Sequence, residues 1–307
     1  MARRSGNSIH GWVILDKPKG MSSAQAVSAV KRRLNAKKAG HAGTLDPQAT
    51  GLLPVALGEA TKTVPFVMDG MKCYNFLVRW GVETDTDDSE GQAVRTSDKR
   101  PSREDIEAVL PLFTGEISQV PPQFSAVKVA GERAYDLARD GEDFTLNARP
   151  VLVKRLEIRE IQDADLCVFE AECGKGTYVR ALARDLGREL GCFGYVAELR
   201  RTRVGVFTEK DTISLEKLDQ FGHSADGHEA NCDVIKPIET ALDDIPALAV
   251  SGSDAQRLKR GQAVLIRGRD APILKGPVYA MSRGTLVAVG EVCHGELRPK
   301  RVFNLPG

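Results

Sequence analysis

The stretch KCYNFLVRW, residues 72–80, constrains the fold more than any other part of the chain. Tyr74, Phe76, Val78 and Trp80 alternate with Cys73, Asn75, Leu77 and Arg79. A two-residue period places the two sets on opposite faces of a strand, and the large apolar set must be covered. Further strands are expected in GWVILDKPKG (11–20), ending in a Pro/Gly turn, and in VLVKRLEIREI (151–161) and LCVFEAEC (166–173). GYVAELRRTRVGVF (194–207) reads as two strands joined by a basic turn. Helical patterns lie between them. In SSAQAVSAVKRRL, Ser22 and Gln25 have capping-box spacing, and Val27, Val30 and Leu34 share a face. A helix from about Ser102 to Phe113 turns Ile106, Val109, Leu110 and Phe113 inward. In YVRALARDLGREL, Val179, Leu182, Leu186 and Leu190 make a buried stripe, while Arg180, Arg184 and Arg188 make a second one at i, i+4, i+8.

With 307 residues the chain can build one large domain, or a large and a small one. Residues 119–150 open with Pro121-Pro122, carry mixed charge and close at Pro150, which reads as an excursion from the main sheet. Beyond about Pro246, short apolar runs alternate with Gly and Pro turns, the texture of a small all-β module. The expected division is therefore 1–245 and 246–307, with 226–232 as a surface insertion. No apolar run approaches the length of a membrane span, and Arg3 and Arg4 precede no apolar stretch of the secretory kind. A soluble cytoplasmic protein is the simplest reading. Six cysteines without a C-x-x-C pair read as reduced, mostly buried thiols.

Net charge is +1, but it is unevenly spread: residues 1–40 hold nine Lys or Arg and one acid. A second basic set runs from Lys175 through Arg180, Arg184 and Arg188 to Arg200, Arg201 and Arg203. Segregated charge suits a polyanion-binding face. Known cofactor and hydrolase signatures are missing from the sequence, including G-x-G-x-x-G after a strand, the P-loop, H-E-x-x-H and G-x-S-x-G. The turn GKGT (174–177) opens a helix and could seat a phosphate on its amides, or simply join a strand to a helix. The acidic run DTDD (85–88) reads as a solvated loop in preference to a metal site, and the five histidines show no ligand spacing.

One carboxylate stands apart. Asp46 lies between Leu45 and Pro47 in GHAGTLDPQATGLLPVALGEATK (40–62), a segment rich in Gly and Pro that reads as a long ordered loop with a short apolar piece. Pro47 biases Asp46 toward extended backbone, and the glycines permit close backbone approach by another chain. The side chain is then either a loop cap or a nucleophile or base projecting into a cleft.

That segment resembles the catalytic motif of the TruB family, the tRNA pseudouridine-55 synthases. LDKPKGMSS, KCYNFLVRWGVETDTDDSEG, PPQFSAVKVAGERAYDLAR, CGKGTYVRALARDLG and AELRRTRVG resemble the family's other motifs in order, across most of residues 10–210. The resemblance implies an α+β fold: a mixed, mostly antiparallel central sheet with flanking helices, and a small C-terminal all-β (PUA-like) module. It implies isomerisation of a uridine in the tRNA T loop, with base flipping and neither cofactor nor metal. Asp46 would be the essential aspartate, attacking C1′ or removing a ribose proton. Arg180 would hold its charge, and Tyr74 would stack on the uracil near the proton chemistry at C5. Tyr178 and Leu199 would complete the base pocket, and His41 would meet RNA where the base leaves the stack. Lys128 and Arg133, in the 119–150 insertion, would close over the T arm, while the two basic sets hold phosphates. The expected protein is a monomer with no obligate protein partner. Two other readings stand beside this one: an RNA-binding chaperone for tRNA folding, and a guide-RNA-dependent uridine isomerase.

Overall fold

The computed structural model describes residues 6–129, 131–222, 234–266 and 275–305. Seven strands form the spine of the larger sheet: β1 (Gly11–Lys17), β2 (Thr50–Leu57), β3 (Lys72–Trp80), β4 (Gly115–Gln119), β5 (Arg149–Ile161), β6 (Leu166–Cys173) and β7 (Gly194–Val204). Their order is β1-β2-β7-β3-β6-β5-β4. Only β2 and β7 run parallel, over Thr50–Gly51 and Arg200–Arg201; the other neighbours are antiparallel. The short strands Ala39–His41 and Phe207–Thr208 pair antiparallel with β2 and β7, respectively.

The alternation in β3 does what its pattern demands. Phe76, Val78 and Trp80 are buried with Phe169 of β6 under helix α2 (Val179–Glu189), whose Val179, Leu182 and Leu186 complete the cluster. Helix α1 (Ser23–Arg33) starts from the expected capping box of Ser22 and Gln25 and packs Ala26, Ala29 and Val30 onto a second cluster with Val13, Leu15, Leu53 and Val55.

Four sequence expectations change. The segment after Asp46 is not a loop: β2 is eight residues long and buried. Pro54 is tolerated because its partner Ile14 directs its carbonyl away, to the N–H of Ile213, so the pair requires no N–H from Pro54. Gly51 (φ +98°) brings β2 close to β7, where a Cβ would lie 2.3 Å from the Arg201 carbonyl; the close approach anticipated from its glycines is internal. The basic turn expected in 194–207 is instead part of β7, and the chain reverses at Gly205 and Val206, before the Phe207–Thr208 strand. Among the described residues the β-rich C-terminal module holds a five-stranded sheet and also one helix, Gly252–Lys259, capped by Ser251 and burying Ala255 and Leu258. Two apolar positions in eight residues gave too little periodicity to read. The expected insertion at 226–232, together with His223, His228 and Cys232, lies outside the described residues. Of the other cysteines, Cys167, Cys173 and Cys192 are buried, Cys73 is half-buried and Cys293 is exposed.

Candidate active site

Asp46 sits in the turn between Ala39–His41 and β2, and the backbone carbonyls from Gly43 to Pro47 all accept hydrogen bonds. Ser23, at the start of α1, donates its hydroxyl to the Leu45 carbonyl and accepts from the Leu45 N–H, both at 2.9 Å. Arg201, 1 % exposed in β7, donates to the carbonyls of Gly43 (3.1 Å), Thr44 (3.2 Å) and Leu52 (2.8 Å). The Pro47 carbonyl accepts from the Gly20 N–H (2.8 Å) and from Lys17 Nζ (3.1 Å), which also donates to Pro18 and Met21. Lys17 is fully buried at the end of β1, and this desolvation lowers its pKa to about 8 although Asp46 nearby opposes the shift. Three elements, β1, α1 and β7, thus clamp the one segment from Gly43 to Pro47.

Helix α2 supplies the counter-charge. Arg180 pairs with Asp46 (Nε–Oδ2 2.9 Å) and Asp88 (3.4 Å), and donates to the carbonyls of Thr86 and Phe124, each at 2.9 Å. One turn later Arg184 pairs with Asp87 at 2.9 Å, and a further turn on Arg188 grips Glu83 through two bonds of 2.8 Å. The i, i+4, i+8 stripe of arginines is therefore matched by an acidic stripe. Asp87 and Asp88 are buried, so the 85–88 run is only partly the solvated loop its composition suggested. A cationic stripe on one helix required anionic partners, and the turn after β3 carries them. The second basic set is accordingly not a free phosphate-binding surface: Arg200 pairs with Asp16 and Glu209, Arg203 with Glu172 and Lys175 with Asp69. In the first set, Lys17 is buried and Arg33 pairs with Asp219, while Lys19, Arg32, Lys37 and Lys38 are exposed.

These groups open onto a cleft of about 620 Å³. Asp46, Arg180, Tyr74, Tyr178, Leu199 and Arg133 all line it, brought together from five separate segments. Burial raises the pKa of Tyr74, against the pull of Arg201, and burial likewise raises that of Tyr178, so both phenols stay protonated at neutral pH. Leu45, Met68 and Leu199 add apolar wall; Arg133, Tyr135 and Arg139 come from the 119–150 insertion. The GKGT turn contributes Gly174 to Thr177 to the same rim. His41 and Lys128 do not line the cleft. His41 sits in the strand before Asp46, where burial lowers its pKa, and Lys128 is exposed on the hairpin of the insertion. The sequence reading missed Ser23 and the structural roles of Lys17 and Arg201; only the serine pair in MSSAQ hinted at one of them. Among the described residues no group of three or more His, Cys, Asp or Glu is placed to hold a metal ion. The arrangement offers a half-open carboxylate with a buried cationic partner, beside flat aromatic and apolar walls suited to a planar ring.

The TruB family pseudouridylate synthase N-terminal domain matches residues 31–179, and the tRNA pseudouridylate synthase B C-terminal domain matches 180–243. Proteins named tRNA pseudouridine synthase B from Nitrobacter winogradskyi and Rhodopseudomonas palustris are each 62 % identical over 99 % of this chain, covering 86 % and 84 % of theirs. That of Brucella anthropi is 54 % identical over 99 % of both chains. The chain belongs to the TruB family. It is therefore a pseudouridine synthase, an isomerase. The boundary between the two TruB domain matches falls inside α2, between Val179 and Arg180, and so divides a single sheet and cleft. Among solved structures, a chain of an H/ACA ribonucleoprotein bound to a substrate RNA containing 2′-deoxyuridine superposes with TM-score 0.76 and 26 % identity over 99 % of this chain and 92 % of that one. A chain of an archaeal box H/ACA ribonucleoprotein gives TM-score 0.73 and 28 % identity over 95 % and 86 %.

Proposed function

We propose that this TruB enzyme converts uridine 55 in the T loop of tRNA to pseudouridine, with Asp46 as its catalytic carboxylate. The N1–C1′ bond breaks and a C5–C1′ bond forms; C5 gives up a proton and N1 gains one, so nothing is hydrolysed or oxidised. Asp46 attacks C1′ or removes a ribose proton. One observation carries the assignment: the Asp46 side chain is 38 % exposed to the cleft, while its partner Arg180, 2.9 Å away, is only 7 % exposed. A carboxylate paired with a desolvated guanidinium, yet open to a ligand, is what either role requires. A uridine stacked in a folded loop must be extruded to reach it, at a cost of a few kcal/mol that contacts with Tyr74, Tyr178 and Leu199 offset. The insertion at 119–150, with Lys128 and Arg133, grips the T arm. Residues 1–245 form the catalytic domain and 246–307 an RNA-binding module.

The test is position-resolved pseudouridine mapping on an unmodified tRNA incubated with the purified protein. Asp46→Asn is expected to lose roughly 10⁴-fold in rate and to keep tRNA affinity within about tenfold. Retained modification by the variant would remove Asp46 from the chemistry. A guide-dependent reading has one support, the likeness to chains from H/ACA ribonucleoproteins. Modification of position 55 of the tRNA by the purified chain without a guide RNA would exclude it.

A further inference from the structure

Arg180 and Arg184 are four residues apart on one face of α2, and each donates to a carbonyl at the root of the 119–150 insertion. Arg180 Nη2 reaches Phe124 at 2.9 Å and Arg184 Nη2 reaches Val120 at 2.8 Å. These carbonyls are also four residues apart, so the Val120–Phe124 segment, with Pro121 and Pro122, runs along the arginine stripe. Gln119 adds a third tie: its side-chain amide donates to the Tyr178 carbonyl (3.2 Å) and its carbonyl oxygen accepts from the Tyr178 N–H (2.8 Å). The guanidinium of Arg184 has no contact with Asp46. Its other partners are Asp87 at 2.9 Å and Asp185 at 2.8 and 3.2 Å. Arg184 and Asp87 have side chains 8 % and 7 % exposed, which makes the pair a desolvated one. Asp87 is fixed in turn through its own carbonyl, which accepts from the Val196 N–H of β7 at 3.1 Å.

We propose that Arg184 and Asp87 are positioning residues that lock the root of the RNA-gripping insertion onto α2, so that RNA grip and the Arg180–Asp46 pair share one rigid support. The proposal rests on the reading of the insertion as the RNA grip. A guanidinium is needed for this because it faces a carboxylate and a carbonyl at once with a planar set of donors. An isolated structural ion pair would have no bond to Val120. The chemistry is untouched by this tie, so its loss falls on substrate binding. At saturating tRNA, Arg180 still pairs with Asp46.

Three variants test it. Arg184→Lys keeps the charge beside Asp87 and gives up the simultaneous reach to Val120. Arg184→Gln removes the charge. The double variant Arg184→Met with Asp87→Leu replaces the buried pair by apolar groups and so avoids an unpaired buried charge. Each is expected to raise KM for unmodified tRNA about tenfold, with kcat within about threefold of the parent. Each is also expected to speed limited proteolysis within 120–148 of the RNA-free protein, because local opening exposes that segment. The double variant separates docking from electrostatic damage, since it should fold and still show both effects. Unchanged proteolysis of the insertion in that variant overturns the tie. Faster proteolysis with unchanged KM leaves the tie standing and overturns its link to RNA binding, and with it the reading of the insertion as a grip. A loss of kcat at constant KM places Arg184 in the chemistry and overturns the positioning role.

Discussion

Ser23 has one hydroxyl and uses it twice on the same neighbour, receiving the Leu45 N–H and donating to the Leu45 carbonyl. At 3 % exposure no water replaces it. Ser23→Ala therefore strands two buried backbone groups beside Asp46, and each such group costs about 1–3 kcal/mol. The expected outcome is a lower unfolding midpoint together with a fall of about 10²-fold in single-turnover rate, since displacing a catalytic group by an ångström has that scale of effect. Denaturant titration and rapid-quench pseudouridine assays measure the two, and a stable variant with the parent rate would free Asp46 from this clamp. At this scale the sequence was only partly legible. Asp46 stood out because Gly and Pro surrounded a lone acid. Lys17 and Arg201 looked like phosphate ligands because a cation's burial depends on carbonyls supplied from elsewhere: Pro18, Met21 and Pro47 for one, Gly43, Thr44 and Leu52 for the other. Nothing local to either residue announces those partners.

The stripe of arginines on α2 was visible as a helical period, and the acidic turn after β3 as a run of carboxylates, but their pairing was not. They are about a hundred positions apart, and the β7–β3 and β3–β6 ladders bring them face to face. Burial has a consequence for pH. Desolvation raises the Asp87 pKa from 3.8 to about 6, with Arg184, Arg180 and Arg188 opposing and Asp185 adding to the shift. Between about pH 4 and 6 the folded protein therefore binds more protons at this site than the unfolded chain. The site's contribution to stability falls as pH rises through that window and is level above it. Asp87→Asn removes this slope while leaving Arg184 with Asp185 and the Val120 carbonyl as partners at every pH. The stability of the variant minus that of the parent is expected to increase from pH 4 to pH 6, whatever its absolute offset. Urea unfolding at half-unit steps measures it. A difference that decreases with pH would mean that the arginines outweigh burial and hold the carboxyl below its unfolded value.

In the whole molecule, the second sheet is joined to the first by more than a linker. Leu286, Val289 and Phe303 of the C-terminal module share one apolar cluster with Trp12, Leu52 and Phe207 of the larger sheet and with Ile238 and Leu242 of the connecting segment. Polar ties frame it. Lys62 donates to the Val302 carbonyl at 2.6 Å and pairs with Glu59, which accepts from the Asn304 N–H at 2.7 Å, and the Lys62 ammonium lies 5.8 Å from the Phe303 ring centre. The change in texture near Pro246 pointed in the sequence to short strands like those of the second sheet. The cohesion of the two sheets was not legible there, because Trp12 and Phe303 read as ordinary strand residues until the fold brings them into one cluster. A module held this way presents the exposed Arg257, Lys259 and Arg301 at a fixed position relative to the cleft, which suits a rigid substrate such as tRNA better than a flexible tether would. The two units should then unfold together. Phe303 is fully buried, and Phe303→Ala removes its ring from the shared cluster at a cost of about 3–5 kcal/mol. Calorimetry is expected to give one transition for the parent and two for the variant, the module melting first. The variant should also bind tRNA more weakly while its rate at saturating tRNA is unchanged, because the cleft itself is untouched. A single cooperative transition in Phe303→Ala would place the coupling in the Lys62–Glu59–Asn304 ties rather than in the apolar cluster.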